Sequence, residues 1–344
     1  MRKIRVGIIG LGFGLHVHVP AFKSHSDIEV VALCGRDQDK VRLAANSQNI
    51  PYNFTRWEEL LESDLDAISI ATPPKIQEEI ALSALSRKKA LFCEKPLASS
   101  LQIARALASA AAPCPNMVDF QFMEITAWKR AKSLIESGLI GRVRHVSVNW
   151  HVETYANKTG KHSWKSSVEE GGGSLNSFAS HTLYYLEQLI GKIRGLSARL
   201  FRELSDVRTG DTSSILSLEF ETGGIASVSI CTNAVLGSGH RIEIYGSDGA
   251  LLLANIEKDY ALGFRLFHGN NSMERMSEII IPESNDGSDG RIAPVKALIG
   301  RFAEWILHSK PTKPNFDDGL RVQVLMDAAL QAHRTANWVQ VSTE

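Results

Sequence analysis

The chain has little cysteine: four in 344 residues, at positions 34, 93, 114 and 231, with no two at the spacing of metal ligands. That scarcity argues against a disulfide framework and a structural metal, and suits the reduced thiols of a cytoplasm. An excess of one charge is missing too. Lys and Arg number 38, as do Asp and Glu, so no net field draws in nucleic acid, and there is no basic stripe or finger spacing. No uninterrupted apolar run reaches the length of a membrane span. The apolar opening after Arg2, Lys3 and Arg5 is cut by Gly10, Gly12 and Gly14 and lacks a small-residue cleavage site, so it does not read as a secretory leader. Internal repeats and low-complexity tracts are absent as well. What is left has the composition of a soluble globular protein, long enough for two domains with separate cores.

The most informative stretch present is Val6-Gly7-Ile8-Ile9-Gly10-Leu11-Gly12-Phe13-Gly14. Arg5 to Ile9 has the β-branched character of a strand buried in a parallel sheet, and the glycines after it let backbone N–H groups approach a ligand with no Cβ in the way. A helix opening near His16 would aim its positive end at the same point. The pattern predicts a phosphate cradle for a dinucleotide, formed by Gly10, Gly12, Phe13 and Gly14. Its third glycine is irregular, since Gly14 stands two positions after Gly12 and Leu15 stands three after it. A tight strand-to-helix turn of an α/β protein without a nucleotide is the alternative.

Up to about residue 120, strand-like and helix-like segments alternate, as in a parallel sheet with crossover helices. Strands are predicted at Ile28–Cys34, Ala67–Ala71 and Ala90–Cys93, and helices at Gln38–Asn46, Ile76–Ser86 and Leu101–Ala110, with Met117–Phe122 completing the first domain. An amphipathic helix then runs from Ala127 to Ser137 and ends at Gly138. Beyond it strands dominate, at Val143–Val152, Ile193–Arg202, Ser213–Glu221, Ile225–Cys231, Arg241–Tyr245 and Ala250–Ala254, alternating apolar with polar residues or joined by glycine turns. The expected fold is therefore α/β: a Rossmann parallel sheet over residues 1–122, then an α+β domain over 123–344 with a large, open, mostly antiparallel sheet. One face of that sheet would lie on helices and the other would pair with a second subunit. Glu283–Gly290 reads as a mobile loop, and Val295–Leu307 and Gly319–His333 as closing helices, the last near the domain interface.

In dinucleotide folds an acid for the adenosine ribose usually ends the second strand, about twenty residues past the glycine turn. Here Gly35 holds that place, with Arg36 beside it. Losing a carboxylate and gaining a guanidinium favours a ribose carrying a 2′-phosphate, hence NADP over NAD, with Lys40 assisting. If Arg36 only caps a loop, Asp37 serves NAD instead. Thr72 and Pro73, in Ala71-Thr72-Pro73-Pro74, leave the strand that starts at Ala67 where the cofactor crevice is expected. Glu94-Lys95-Pro96 leaves the next strand in the same way, and an X–Pro bond at such a turn is a candidate for the cis form.

With Gly171-Gly172-Gly173-Ser174-Leu175 and His181 added, these motifs resemble the glucose-fructose oxidoreductase, inositol dehydrogenase and MocA-type oxidoreductases. The resemblance extends over nearly the whole chain, through Leu134-Ile135-Glu136-Ser137-Gly138-Leu139-Ile140-Gly141, Tyr245-Gly246-Ser247-Asp248-Gly249 and Pro314-Asn315-Phe316-Asp317-Asp318-Gly319. It implies a hydride transfer between nicotinamide and a sugar, cyclitol or related compound, and a homodimer or homotetramer formed through the second sheet. Catalysis falls to Lys95, near the nicotinamide ribose and the reacting hydroxyl, and to His181 as general base. Glu94 joins Thr72 and Pro73 on the cofactor. The resemblance also marks departures. The family's Asp, four residues before the His, is Ser177 here, preceded by Asn176; an acid expected three after the His is Tyr184; and Met123-Glu124 replaces a frequent Arg. Without that carboxylate, proton abstraction would be weaker or shared with Lys95, Tyr184 or Tyr185. Asn176, Ser177, Tyr184 and Trp164 are candidate substrate ligands, with Trp150, His151, Glu153 and Lys165 on the strand and loop leading to them. Two other functions stay open: oxidation and re-reduction around an elimination or hydrolysis with the cofactor retained, or a dinucleotide-binding sensor without chemistry.

Overall fold

Short, almost entirely buried strands give the first part of the chain its sheet: β1 (Ile4–Ile9), β2 (Ile28–Cys34), β3 (Tyr52–Phe54), β4 (Ala67–Ile70), β5 (Ala90–Cys93) and β6 (Asn116–Val118). In this computed structural model, which describes all residues but 1, 162, 204–207, 258, 283–286 and 343–344, they form a six-stranded sheet in the order β3-β2-β1-β4-β5-β6. Every neighbouring pair is parallel. Parallel neighbours require crossovers, which α1 (Val19–Lys23), α2 (Gln38–Ser47), α3 (Trp57–Leu61), α4 (Pro74–Ser86) and α5 (Leu101–Ala111) provide. Strand order reverses between β1 and β4, which opens a crevice at their carboxyl ends, the usual ligand position in such sheets.

The chain divides into two compact units, the first made of Met1–Gln121 with Arg291–Gln323 and the second of Phe122–Gly290 with Val324–Glu344. The first unit thus takes in a late segment that the expected division at residue 122 leaves in the second domain. The reason is packing. Val295, Leu298, Ile299 and Phe302 of α9 (Ile292–His308) join Phe22 and Phe92 in one core, with the Phe92 and Phe302 rings 5.8 Å apart. Burying a side chain of that size contributes about 1.5–3 kcal/mol, so the segment is held as firmly as any local helix.

In the second unit α6 (Thr126–Glu136), α7 (Tyr155–Thr159) and α8 (Ser180–Leu189) accompany a nine-stranded sheet. Its strands are β7 (Val143–His151), β8 (Ile193–Phe201), β9 (Ser213–Phe220), β10 (Ile225–Cys231), β11 (Gly239–Gly246), β12 (Gly249–Asn255), β13 (Arg265–Asn270), β14 (Ser277–Ile279) and β15 (Val339–Gln340). They run in the order β14-β13-β12-β11-β7-β10-β9-β8-β15. All pair antiparallel except β10 with β7. The two expected architectures, parallel and mostly antiparallel, are both present. Alternation sorts the faces: Val146, Val148, Val228, Ile230, Leu216, Leu218, Ile242 and Ile244 are buried, while Phe201, Ile215, Ile225 and Tyr245 on the opposite face are exposed. The last helix, α10 (Phe316–Thr335), begins in the first unit and ends in the second. The loop expected at Glu283–Gly290 lies in part, at 283–286, outside the described residues. No helix among the described residues is long and apolar enough to cross a membrane.

Candidate active site

Each glycine of the first turn has its own physical reason. Gly10 has φ +119° and a Cβ there would fall 2.3 Å from the Ala71 carbonyl oxygen, so only glycine fits where β1 meets the end of β4. A Cβ at Gly12 would meet nothing within 4 Å: the position faces open space and leaves the backbone approachable. Gly14 sits close against Ala71 and Ile8, where a Cβ would lie 3.2 Å from each. Tight turn, ligand approach and close packing are the three tasks of a dinucleotide glycine motif, so the irregularly spaced Gly14 still performs the third. Residues Gly14–His18 form a π-helical turn before α1, taking up one residue more than an α turn where the glycine spacing departs from the usual pattern. Phe13 lies beside this turn, its ring under the Arg291 guanidinium at 5.2 Å. Thr72 follows β4 with its buried Oγ1 lacking a hydrogen-bond partner among the described residues, and Pro73 precedes α4 as its N-cap. These residues fit a dinucleotide.

At the end of β2, a side chain on Gly35 would collide with Leu11, whose Cδ1 would lie 2.4 Å from the added Cβ. Leu11 thus fills the space of the missing acid. Asp37 caps α2, accepting from the Lys40 N–H at 3.0 Å, and its carboxylate pairs with the Lys40 ammonium at 3.3 Å. Those bonds hold the Asp37 carboxyl below its ordinary range. Arg36 is exposed.

Glu94, Lys95 and Pro96 leave β5 with a cis bond between Lys95 and Pro96. The turn is held from several sides. The Glu94 N–H donates to Ile70 O at 3.0 Å, and the buried Gln77 amide donates to the carbonyls of Glu94, Pro96 and Leu97 at 2.7, 3.0 and 3.2 Å. Behind it lies a polar cluster that sequence reasoning missed. The His18 ring is fully buried, with Nδ1 2.8 Å from Ser69 Oγ and Nε2 3.3 Å from both Glu94 Oε1 and Asp119 Oδ2. Burial alone would lower the His18 pKa, but hydrogen bonds to Asp119 and Glu94 and their charges push it up to about 9. Burial works to raise Glu94 as well, yet His18 and Lys95 hold it below its ordinary value. Asp119, with burial and the Glu94 charge both against ionisation, is pushed up to about 7.

The second unit carries the glycine run and His181. A Cβ on Gly172 would fall 2.2 Å from Trp164 O, and one on Gly173, at φ +106°, 2.2 Å from Asp211 Oδ1. The run is glycine because the Trp164–Lys165 backbone and a carboxylate close in on it. Asp211 accepts from the Ser174 hydroxyl and from the Leu175 N–H, the latter at 3.0 Å, and burial raises its pKa. Nothing in its spacing marked Asp211 in the sequence. Asn176 spends its amide on Gly171 O and Gly172 O at 3.2 and 3.3 Å. Ser177 is buried in a π turn, Leu175–Ala179, and lines a small cavity with Asn157, Lys165, Phe178, Asp211, Thr212 and Thr232. His181 and Tyr184 are buried on α8, and Trp164 is half-buried. The His181 ring lies edge-on to Phe122 at 4.8 Å.

Two candidates from the sequence take other roles. Trp150, proposed for a sugar face, is buried and stacks on His240, its register partner across β7 and β11, at 4.0 Å and 4°. Tyr185, a possible proton partner, is fully buried with its hydroxyl 3.0 Å from His240 Nε2 and 3.2 Å from Thr182 Oγ1. Burial raises its pKa further out of reach of neutral-pH chemistry. The structure brings Thr72, Pro73, Glu94 and Lys95 together with the glycine turn in the first unit; Asn176, Ser177, His181, Tyr184 and Trp164 belong to the second.

Residues 4–122 match the oxidoreductase family's NAD-binding Rossmann fold, and residues 132–341 match its C-terminal alpha/beta domain. The chain belongs to the Gfo/Idh/MocA oxidoreductase family. Among its relatives are an uncharacterised oxidoreductase of Synechocystis, 32% identical and aligned over 98% of this chain and 96% of that one, and the levoglucosan dehydrogenase of Pseudarthrobacter phenanthrenivorans, 24% identical over 99% of each. A solved levoglucosan dehydrogenase in complex with NADH and levoglucosan superposes with a TM-score of 0.88 at 21% identity, covering 99% of this chain and 100% of that one.

Proposed function

We propose that the chain is an NAD(P)-dependent dehydrogenase or reductase acting on a sugar, cyclitol or related hydroxy or keto compound. The observation that carries this reading is the cradle: a glycine turn with Gly12 facing open space and the unbonded Thr72 hydroxyl, on the same sheet edge as Lys95. When bound, the nicotinamide supplies a hydride acceptor or donor at its C4. Gly10, Gly12, Phe13, Gly14, Thr72, Pro73 and Glu94 hold the dinucleotide. Lys95 polarises the reacting oxygen and lowers the cost of an alkoxide. His181 takes or returns the proton. Ser177, Tyr184 and Trp164 contact substrate hydroxyls; Asn176, its amide nitrogen committed to the glycine run, offers its carbonyl oxygen.

Nicotinamide absorbance followed across a panel of sugars and cyclitols tests the reading. Turnover is expected, and His181→Ala should lower kcat by about a hundredfold to ten-thousandfold with cofactor affinity retained. An unchanged rate would reject the role of His181. Product without net absorbance change would point to a cofactor recycled in place, and tight binding without chemistry to a sensor.

The exposed Arg36, next to an Asp37 already spent on its helix cap, supports a preference for the 2′-phosphorylated cofactor. Arg36→Ala should weaken NADPH binding about tenfold, the loss of one charge-assisted contact, and leave NADH nearly unaffected. Tyr245, His145 and Ile225 form one cross-strand row on the open sheet face, with Ile215 four residues further along, opposite Ser229. That partly apolar face supports association of copies as a dimer or tetramer, which light scattering of the purified chain measures.

A further inference from the structure

The buried polar cluster behind the Glu-Lys-Pro turn is too costly to be packing alone. His18 and Asp119 are 0% and 1% exposed at their side chains and Glu94 16%, and their ligating atoms all lie within 4.8 Å of one another. Two carboxylates and an imidazole removed from water persist only if protons or counter-charges balance them. Ser69 Oγ, at Nδ1, orients the ring so that Nε2 faces both acids. Aromatic rings close in on the imidazole: those of Phe13 and Phe92 meet His18 edge-on, each at 5.2 Å, and that of Phe22 at 6.4 Å. Among the described residues the other titratable groups at the cluster are the buried Cys93 thiol, pushed up by burial and the Glu94 charge, and the Lys95 ammonium, which acts on Glu94.

We propose that His18 is a positioning residue: held as an imidazolium between Glu94 and Asp119, it fixes the Glu94 side chain and with it the turn that carries Lys95, making hydride transfer depend on a proton buried beneath the turn. Residue 94 is then restrained at three points, its N–H by Ile70, its carbonyl by Gln77 and its side chain by His18. Loss of the His18 proton leaves two buried carboxylates with no cation between them, so the side-chain restraint on residue 94, and with it the placing of Lys95, is lost. The elevated His18 pKa, about 9, agrees with an imidazolium that persists through neutral pH.

The proposal rests on the dehydrogenase reading only for its effect on turnover, and its test separates the two. Side-chain nitrogen NMR of the full chain without cofactor, with His18 assigned from a His18→Gln variant, reads the protonation directly. The imidazolium signature is expected to persist above pH 8, and Asp119→Asn should move its midpoint down by about one unit or more. In turnover, kcat should fall on the alkaline side with that same midpoint, the fall should shift with it in Asp119→Asn, and KM for the substrate should hold steady. His18→Gln should have low kcat with no alkaline fall. A neutral His18 at pH 7.5 in the unsubstituted chain overturns the proposal, as does a stoichiometric divalent ion found in the purified protein. A kcat profile that stays put while the NMR midpoint moves also overturns it. Inactivity toward every sugar tried counts against the dehydrogenase reading alone, because the NMR arm needs no turnover.

Discussion

Each unit buries a histidine almost completely, and the two are driven in opposite directions. His18 of the first unit faces two carboxylates and a serine hydroxyl and is pushed up to about 9. His240 of the second is flanked by Trp150, Trp128, Tyr185, Phe122 and Phe264, and burial pushes it down to about 3. Equal burial therefore does not give equal chemistry. Where acids share the cavity the desolvation penalty is overcome and a charge persists; where only rings and a phenol are present the neutral imidazole wins. The first histidine is an electrostatic part of a candidate site. The second is a flat polar ring filling a core, bonded through Nε2 to Tyr185.

The contrast is broken most severely by His18→Leu. Removing the cation leaves Glu94 and Asp119 buried with no imidazolium between them, a change expected to cost about 3–5 kcal/mol, read from the midpoint of denaturant unfolding. A change below about 1 kcal/mol would mean that the acids carry the proton without the histidine.

The pH dependence of stability sharpens it next. For His18 the folded pKa lies above the unfolded 6.5, so its contribution is complete below pH 6.5 and is lost as pH rises through about 9. That amounts to about 3 kcal/mol. Asp119, also raised, to about 7, works in the same sense at lower pH: its contribution fades as pH rises from 3.8 through 7. For His240 the folded pKa is depressed, so the unfolded chain takes up the proton first and stability falls as pH drops from 6.5 towards 3. Amide exchange should show the first unit loosening in alkali and the second in acid; loosening at the same end would contradict the contrast.

His240→Phe is the gentlest case. It keeps a flat ring against Trp150 and leaves Tyr185 with Thr182, so the expected cost is about 1 kcal/mol, with the acid limb of the second unit flattened. Thermal melts at pH 5 and pH 7 read both effects.

What the sequence made legible follows the same division. The buried strands β1, β2, β4 and β5 could be read because apolar runs between helical patterns have few other solutions, whereas the three-residue β3 and β14 are too short to show a period. Amphipathicity announced α9 but not its neighbours, since it tells which face is buried and not against what. The Lys95 turn was legible from its place at a strand end. His18 was not, because its partners lie 51 and 101 residues away and meet it only through the order of parallel strands. Ser177 was noticed as a lost acid; Asp211, 36 residues from Leu175, supplies a carboxylate that braces the glycine run.

Leu11 carries a last consequence, for protein engineering. Its side chain occupies the volume that any residue larger than glycine would need at position 35. Installing an aspartate there to grip an adenosine ribose calls for a paired exchange, Leu11→Ala with Gly35→Asp, because the single replacement would wedge the loop apart before its new carboxylate met any ribose.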